Sequence, residues 1–257
     1  MSKWIKRIYL TIIYLFLYAP IMVLIVFSFN EGKTRGAWDG FSLRWYHSLF
    51  QNDEIMQALY NSISIALIAT LCGTMIATLG VLGFYQFRRR GRKATLMINQ
   101  VIVLNPDIVT AIGFMTLFGL LRMQSGYWTL LLSHIAFVVP YVVLSVLPKM
   151  ETMSTALPEA AMDLGATPWQ TLWHVVLPAL RGGIVSGALM GFTMSIDDFV
   201  ISFFNTGNGV ETISTMVYSM ARRGINPEVN ALSTLMFGTM LILLVAMNLK
   251  SLGKESE

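Results

Sequence analysis

The stretch PEAAMDLG at residues 158–165, followed by VVLP at residues 175–178, is a short polar segment between strongly apolar ones. Pro158 suits the first turn of a helix, and Glu159 complements the positive end of the helix dipole. Gly165 can adopt the left-handed backbone conformation that ends a helix. The stretch therefore predicts a short helix that begins near Pro158 and stops at Gly165.

A second short helix is predicted directly after Gly165. Thr167, Pro168 and Gln170 stand at the N-cap, the first and the third helical positions, which is the pattern of a capping box. Two short helices that meet at a glycine form a compact knuckle suited to docking. The residues that this knuckle presents are Ala160, Ala161 and Leu164. An interfacial amphipathic helix that docks nothing is the alternative.

The composition identifies an integral membrane protein built from helices. Of its 257 residues, 55% are hydrophobic and only 12% are charged. Soluble domains carry about 25% charged residues. We predict an all-α transmembrane domain over residues 1–257 with six spans, each long enough to cross a bilayer with about 20 residues. The predicted spans are 8–29, 58–85, 94–121, 127–147, 179–204 and 229–249.

The basic residues predict the orientation of these spans, because cytoplasmic loops carry an excess of Lys and Arg. With both termini in the cytoplasm, the cytoplasmic set is Lys3, Lys6, Arg7, Arg88, Arg89, Arg90, Arg92, Lys93, Lys149, Arg181, Lys250 and Lys254. The outer set is Lys33, Arg35, Arg44, Arg122, Arg222 and Arg223. Since the larger set lies inside, we predict cytoplasmic N- and C-termini and a cytoplasmic loop 149–178.

Small residues recur every four positions along two of the predicted spans. The ladders are Ala69, Gly73 and Ala77 in the second span, and Gly183, Gly187 and Gly191 in the fifth. Such ladders let helix backbones approach closely within lipid. We interpret the first ladder as ordinary packing within the chain.

The fifth span also contains two adjacent carboxylates, Asp197 and Asp198. An acidic side chain at the centre of a membrane helix costs about 2.5–3.5 kcal/mol on insertion scales, so both point to a function. At about 100° per residue, Asp198 falls on the face of Gly191, which points into the bundle or across a subunit interface. We therefore favour Asp198 as a residue of a transport path and Asp197 as a hydrogen-bond acceptor for a neighbouring helix.

A third acidic residue, Asp107, follows Asn105 and Pro106 inside the third span. Pro106 frees a backbone carbonyl and disfavours helix at Asn105, so a kink is expected. A broken helix at membrane depth is tolerated where it lines a cavity. Since no basic residue lies at comparable depth, we expect Asp107 and Asp198 to form an anionic constriction that a cation passes through, and we keep Asp197 with them as a candidate path residue. Pairing with Arg or Lys of a partner subunit, or protonation, is the alternative for each.

Histidine and cysteine point to neither a metal site nor a disulfide. His134 lies inside the fourth span, where a packed, hydrogen-bonded histidine is the favoured interpretation. No pair has the HExxH spacing, and Cys72 is the one cysteine of the sequence. No G-x-x-x-x-G-K-[ST] loop occurs, so we predict that the chain is not an ATPase.

The Glu159-Ala160-Ala161 triplet, with Gly165 and the later Leu177-Pro178, resembles the EAA signature of the membrane subunits of binding-protein-dependent ABC importers. Four further segments carry the resemblance: LRWY is similar to the wider family, and the other three resemble the spermidine/putrescine permeases of that class. The four segments are LRWY (43–46), NPDIV (105–109), SIDDFVIS (195–202) and NPEVNAL (226–232). The resemblance extends over essentially the whole chain.

This resemblance implies a type I importer permease of MetI-like fold, in which loop 149–178 holds a coupling helix. The residues implied to dock on a cytoplasmic ATPase are Glu159, Ala160, Ala161, Leu164 and Gly165. The implied partners are a second, homologous permease, an ATPase dimer that binds ATP and Mg, an extracytoplasmic binding protein and the lipid bilayer, with no nucleic acid. The implied role is ATP-driven polyamine import across the inner (plasma) membrane, with no cofactor or metal in this chain.

Other functions stay open on the sequence alone. An importer of another cation, such as ferric iron, would use the same carboxylates. An intramembrane aspartyl enzyme would use Asp107 and Asp198, but it needs two carboxylates that share a proton at close range. A proton-coupled transporter would leave the polar loop around Glu159 unexplained.

Overall fold

The computed structural model describes residues 3–33, 37–86, 89–207, 209–223 and 227–252. Arg35, Arg88 and Lys254, which entered the count of basic residues, lie outside these ranges, as does Asn226. Within them the chain is helical, and β structure is limited to a bridge between residues 30 and 41. The predicted all-α class is confirmed for these residues.

The described residues form twelve α-helices and one π-helical turn, which connects α8 to α9. The α-helices are α1 (Lys3–Ser28), α2 (Arg44–Gln51), α3 (Asp53–Gln86), α4 (Arg89–Leu104), α5 (Asp107–Leu120), α6 (Tyr127–Thr152), α7 (Ala156–Asp163), α8 (Pro168–Thr171), α9 (Leu177–Ile196), α10 (Val200–Asn205), α11 (Ile213–Arg223) and α12 (Pro227–Leu252). The π-helical turn is Leu172–Val176.

The helices that could cross a membrane agree with the predicted spans in part. Four stretches of the described residues are long and apolar enough: Lys3–Ser28, Asp53–Gly83, Tyr127–Thr152 and Pro168–Ile196. A fifth results if α4 and α5, which meet at 103°, count together as one span. The sixth predicted span, 229–249, falls on α12, and the total of six stays a prediction.

Two of the predicted spans are divided. The span 94–121 is split between α4 and α5, as the expected kink at Asn105 requires. The span 179–204 is expected to be one continuous helix, but α9 ends at Ile196 and α10 begins at Val200. Pro and Gly are absent between Ser195 and Phe204, so this second break must have another cause.

Helix α6 is the centre of the compact unit formed by residues 58–215. Its side chains Val138, Val142 and Val146 are fully buried in one cluster with Val81 of α3 and Leu180 of α9. Within a membrane, lipid tails are as apolar as these side chains, so helix association relies on close van der Waals packing. The position of α9 therefore depends on how closely its backbone can approach α6.

The small-residue ladders provide that close approach. A Cβ atom added to Gly183 would lie 2.9 Å from the carbonyl oxygen of Ser145, and one added to Gly191 would lie 2.6 Å from Val138 Cγ1. On α3, a Cβ added to Gly73 would lie 2.9 Å from the same valine methyl carbon. Both ladders thus pack on α6 within this chain, which confirms the interpretation of the first.

Residues 1–57 and 216–257 form a second compact unit. In it α1 packs on α12, and so does α2. Trp45 of α2 is buried and donates from Nε1 to the carbonyl of Asn30 at 2.7 Å. The Ser48 hydroxyl donates a hydrogen bond to the Glu228 carboxylate, which joins α2 to the first turn of α12. A single domain over residues 1–257 stays a prediction.

Candidate functional site

The polar segment around Gly165 folds into the two short helices that the sequence predicts. The backbone φ of Gly165 is +91°, in the left-handed region. Its N–H donates to the carbonyl of Met162 at 2.9 Å, and the N–H of Ala166 donates to the carbonyl of Ala161 at 3.0 Å. This pair of bonds is the Schellman arrangement, which satisfies the last carbonyls of a helix. The predicted stop at Gly165 is confirmed.

The second short helix is capped as expected. The backbone N–H of Gln170 donates to Thr167 Oγ1 at 3.3 Å, and the Thr167 N–H donates to Gln170 Oε1 at 2.8 Å. This reciprocal pair is a capping box, and Pro168 follows at the first helical position. The helix then passes through the π-helical turn into α9 without a loop.

Large apolar side chains are uncovered on these two helices and at the start of the π-helical turn, and we name residues 156–173 the docking segment. Leu164 is 90% exposed, and Trp169 and Trp173 are 67% and 52% exposed. The two tryptophan rings meet edge to face with centroids 5.7 Å apart. Leu157 and Met162 are exposed as well. Exposed apolar surface of this kind marks a contact with another protein or with a membrane.

The predicted docking residues all lie in this segment. Glu159, Ala160, Leu164 and Gly165 are exposed, and Ala161 is half-buried. Sequence reasoning did not single out Leu157, Met162, Trp169 and Trp173 as docking residues. Their signal is the presence of large apolar side chains in a loop that is too short and too polar to bury them.

The first helix break lies at Asn105 and Pro106, where α4 and α5 meet at 103°. Pro106 has no N–H to continue a helix. The Asn105 side-chain amide donates to the Thr110 hydroxyl at 2.8 Å, across the first turn of α5. Asp107, the first residue of α5, is exposed. The predicted kink is confirmed.

The second break, between α9 and α10, contains Asp197 and Asp198. Asp198 Oδ1 accepts the N–H of Ile201 at 3.2 Å, and its Oδ2 accepts the N–H of Ser202 at 2.8 Å and the Ser202 hydroxyl at 3.0 Å. In an unbroken helix these N–H groups would bond to carbonyls one turn earlier. The carboxylate takes the place of those carbonyls and satisfies the first N–H groups of α10, which favours a break at this point.

The two adjacent acids have opposite surroundings. The Asp198 side chain is 5% exposed, whereas Asp197 is exposed. The face of α9 that Asp198 was predicted to share with Gly191 does point into the bundle, but α6 covers it closely. These contacts favour Asp198 as the structural acid and Asp197 as the accessible one, the reverse of the preference drawn from the sequence.

His134 of α6 completes the surroundings of Asp198. Its Nδ1 lies 2.8 Å from Ser195 Oγ, and its Nε2 lies 3.1 Å from Ser202 Oγ and 3.7 Å from Asp198 Oδ2. The ring is 1% exposed. The expectation of a packed, hydrogen-bonded histidine is confirmed, but nothing in the sequence spacing links it to Asp198.

The two broken helices are neighbours. Ile201 of α10 is fully buried in a cluster with Ala111 of α5 and Phe137 of α6. The Asn205 side-chain amide donates to the carbonyl of Ala111 at 3.1 Å. Helix α10 therefore packs on the helix that Asp107 begins. Asp197 lies at the C-terminal end of α9, whose last carbonyls carry a partial negative charge, whereas Asp107 and Asp198 lie at the positive N-terminal ends of α5 and α10.

Comparison with known proteins gives relatives over most of the chain. Residues 69–250 match the family described as "Binding-protein-dependent transport system inner membrane component". The spermidine/putrescine transport system permease protein PotC of Escherichia coli (strain K12) is 38% identical over 94% of this chain and 91% of its own length. The putrescine transport system permease protein PotI of the same strain is 35% identical over 92% of this chain and 86% of its own length.

Solved structures of similar fold include a bacterial ABC transporter involved in the import of the acidic polysaccharide alginate. It aligns with a TM-score of 0.70 at 13% identity, covering 96% of this chain and 94% of that one. The MetNI methionine ABC transporter aligns with a TM-score of 0.61 at 18% identity, covering 77% of this chain and 95% of that one. At these identities the likeness concerns the fold alone.

Proposed function

Because this chain belongs to the family of binding-protein-dependent transport system inner membrane components, we propose that it is the permease subunit of an ATP-driven importer of polyamines. The family consists of transport subunits rather than enzymes. The observation that carries the proposal is the identity of 38% and 35% to permeases named for spermidine and putrescine, over 94% and 92% of this chain.

In this proposal the chain is one permease domain with six spans. Four stretches cross the membrane alone, the bent pair α4 and α5 forms one further span, and α12 forms the last. Both termini lie in the cytoplasm, since that orientation places the larger set of Lys and Arg inside. The docking segment then faces the cytoplasm as well.

The docking segment is the proposed contact with a cytoplasmic ATPase that binds ATP and Mg. Its support is the exposed apolar surface around Leu164, with Glu159 at the first turn of α7 and Gly165 fixing the bend. Because α8 continues helically into α9, movement of the docking segment would reach the second helix break without crossing a loop. A second, homologous permease and an extracytoplasmic binding protein complete the proposed assembly.

Asp107 and Asp197 are the proposed acidic residues that meet the cation, and Asp198, the third acid predicted from the sequence, lies beside Asp197 at the second helix break. Polyamines carry ammonium groups that carboxylates at membrane depth would attract. Ferric iron is the competing cargo, since carboxylates serve it too. The alternative of an intramembrane aspartyl enzyme finds no support in the contacts of Asp198, whose partners are hydrogen-bond donors and an imidazole rather than a second carboxylate.

The proposal is tested by uptake in vesicles that contain the chain with its second permease and its ATPase, with ATP enclosed and the binding protein outside. We expect ATP-dependent uptake of labelled spermidine and putrescine, and none of labelled ferric iron. Robust ATP hydrolysis with uptake of iron alone would overturn the polyamine assignment and keep the importer function. An absence of ATP-dependent uptake of any cation would overturn both.

The docking function is tested separately with Leu164→Ala. Truncating a side chain that is 90% exposed removes almost no contact inside this chain, so its own stability should not change. A central apolar anchor of an interface is worth about 2 kcal/mol or more, so ATPase binding should weaken at least about 30-fold. The matched control is Asp163→Ala, on an exposed polar neighbour. Equal ATPase binding by both variants would contradict a docking role for Leu164.

A further inference from the structure

Most acceptor sites of the Asp198 carboxylate are occupied by donors of the same chain. Its two oxygens accept three hydrogen bonds from residues 201 and 202, and the imidazole of His134 lies 3.7 Å from Oδ2. A carboxylate has about four acceptor sites. An ammonium group that approached Asp198 would find three of these sites taken, and displacing one of the donors would leave a buried group without a partner at a cost of about 1–3 kcal/mol. A passing cation therefore gains little from this residue.

His134 bridges the break from one side to the other. Its Nδ1 contacts Ser195 in the last turn of α9 at 2.8 Å, and its Nε2 contacts Ser202 in α10 at 3.1 Å. All three side chains are buried, with Ser195 4% exposed and Ser202 fully buried. Because the imidazole belongs to α6, the ends of both helices are fixed to the same third helix.

The far end of α10 is fixed as well. The Asn205 amide donates to the carbonyl of Ala111 in α5, and the Thr129 hydroxyl of α6 donates to the carbonyl of Asn205 at 3.1 Å. On the other side of the break, the Gly191 backbone packs against Val138 of α6. The break is thus held at both ends, and the conformation of the residues between is defined.

Asp197 differs from its neighbour in having no such contacts. It is exposed, and its carboxylate makes no hydrogen bond or ion pair to any of the residues that the structure describes. Its backbone N–H donates to the carbonyl of Thr193, which closes the last turn of α9.

We propose that His134 and Asp198 are positioning residues that hold the break between α9 and α10 against α6, and that they leave Asp197 as the carboxylate which meets the transported cation. This inference rests on the proposed function in one respect, namely that the cargo is a cation. It assigns different roles to two adjacent residues of the same chemical type.

The first test is thiol accessibility in the assembled complex. Asp197→Cys and Asp198→Cys, each in a Cys72→Ala background, are treated with a water-soluble cationic methanethiosulfonate. The complex that carries Cys72→Ala alone is the control, because its labelling comes from cysteines of the partner chains. We expect Asp197→Cys to react at least tenfold faster and to be slowed by spermidine. Faster labelling of Asp198→Cys, or equal rates for the two, would overturn the assignment.

A second test shows whether His134 acts on position 197. His134→Leu and Ser202→Ala, each combined with Asp197→Cys, keep the capping carboxylate and are expected to assemble. Loss of the imidazole bridge should change the labelling rate of Asp197→Cys at least threefold. A purely structural role away from the path would lower the amount of complex and leave that rate unchanged, and this result would overturn the positioning role.

Transport kinetics separate the two roles further. Asp197→Asn should raise KM for trivalent spermidine by a larger factor than for divalent putrescine, because the lost attraction grows with the charge of the cargo. His134→Leu and Asp198→Asn should lower the maximal rate for both by a common factor and leave the KM ratio unchanged. A changed ratio in Asp198→Asn with an unchanged ratio in Asp197→Asn would overturn the inference. If wild type moves no polyamine, the proposed function fails, while the labelling pattern still decides the positioning role.

Discussion

The two broken helices of this chain differ in what breaks them. Between α4 and α5 the main chain itself stops the helix, because Pro106 lacks an N–H and disfavours helix at the residue before it. Between α9 and α10 no residue forbids a helix. There the Asp198 side chain takes the N–H groups of Ile201 and Ser202, and His134 of α6 supports it.

This difference determines which acid each break exposes. At the first break the chain direction changes by 103°, and Asp107 lies exposed at the start of α5. At the second break the Asp198 carboxylate is buried and accepts hydrogen bonds from α10, whereas its neighbour Asp197 is exposed. A pair of adjacent carboxylates therefore contains one structural and one accessible member.

The largest expected effect is a difference in the free energy of unfolding between variants at the two breaks. Asp198→Ala removes the cap and leaves two N–H groups of α10 without partners, which should destabilise the chain by about 3 kcal/mol. Asp107→Ala removes an exposed acid from a helix start and should cost no more than about 1 kcal/mol. Thermal unfolding of the purified assembled complex measures both. Similar shifts for the two variants would mean that the breaks are held in the same way.

A smaller effect is expected from one methyl group placed near each break. Gly191→Ala inserts a Cβ 2.6 Å from Val138 Cγ1, and such overpacking should cost about 1–3 kcal/mol. Gly113→Ala on α5 meets no atom within 4 Å, so it should stabilise its helix by about 0.5–1 kcal/mol. The same thermal measurement should show shifts of opposite sign. A stabilising Gly191→Ala would contradict the dependence of the second break on α6.

The smallest effect on stability is expected from Pro106→Ala, and its main effect should be on shape. Because the first break is encoded in the main chain, its removal should let α4 and α5 straighten. Spin labels at Ile98 and Met115, both exposed, should then move apart in the Cys72→Ala background. An unchanged distance would show that packing on α6, rather than the proline, imposes the 103° bend.

The conformation of the docking segment could be predicted from the sequence because it depends on local interactions. Gly165, Thr167 and Gln170 adopt the predicted conformations because each acts on backbone groups only a few residues away. The exposure of Trp169 and Trp173 was not predicted, since it depends on where the other described helices lie. Local chemistry predicted the two helices, and tertiary structure decided which of their side chains remain available.

The small-residue ladder of α9 is a case in which the sequence pattern allows two interpretations. Its spacing predicts a face that approaches another helix closely, and that face does pack against α6. The sequence could not tell whether the face lines a path or a contact between helices, because both require small residues and both tolerate a polar group. A Cβ added to Gly191 would lie only 2.6 Å from Val138 Cγ1, so this face of α9 is a close contact with α6 and does not line an open path.

By itself the sequence determined the all-helical membrane class, the two short helices that meet near Gly165 and the kink at Pro106, because hydropathy, capping and the missing proline N–H act over a few residues. Only the tertiary structure decided that α9 ends before Asp197 and that Asp198 faces inward. The physical reason is that the deciding group, His134, reaches the break from α6, and a hydrogen bond between distant parts of a chain leaves no periodic pattern in its sequence.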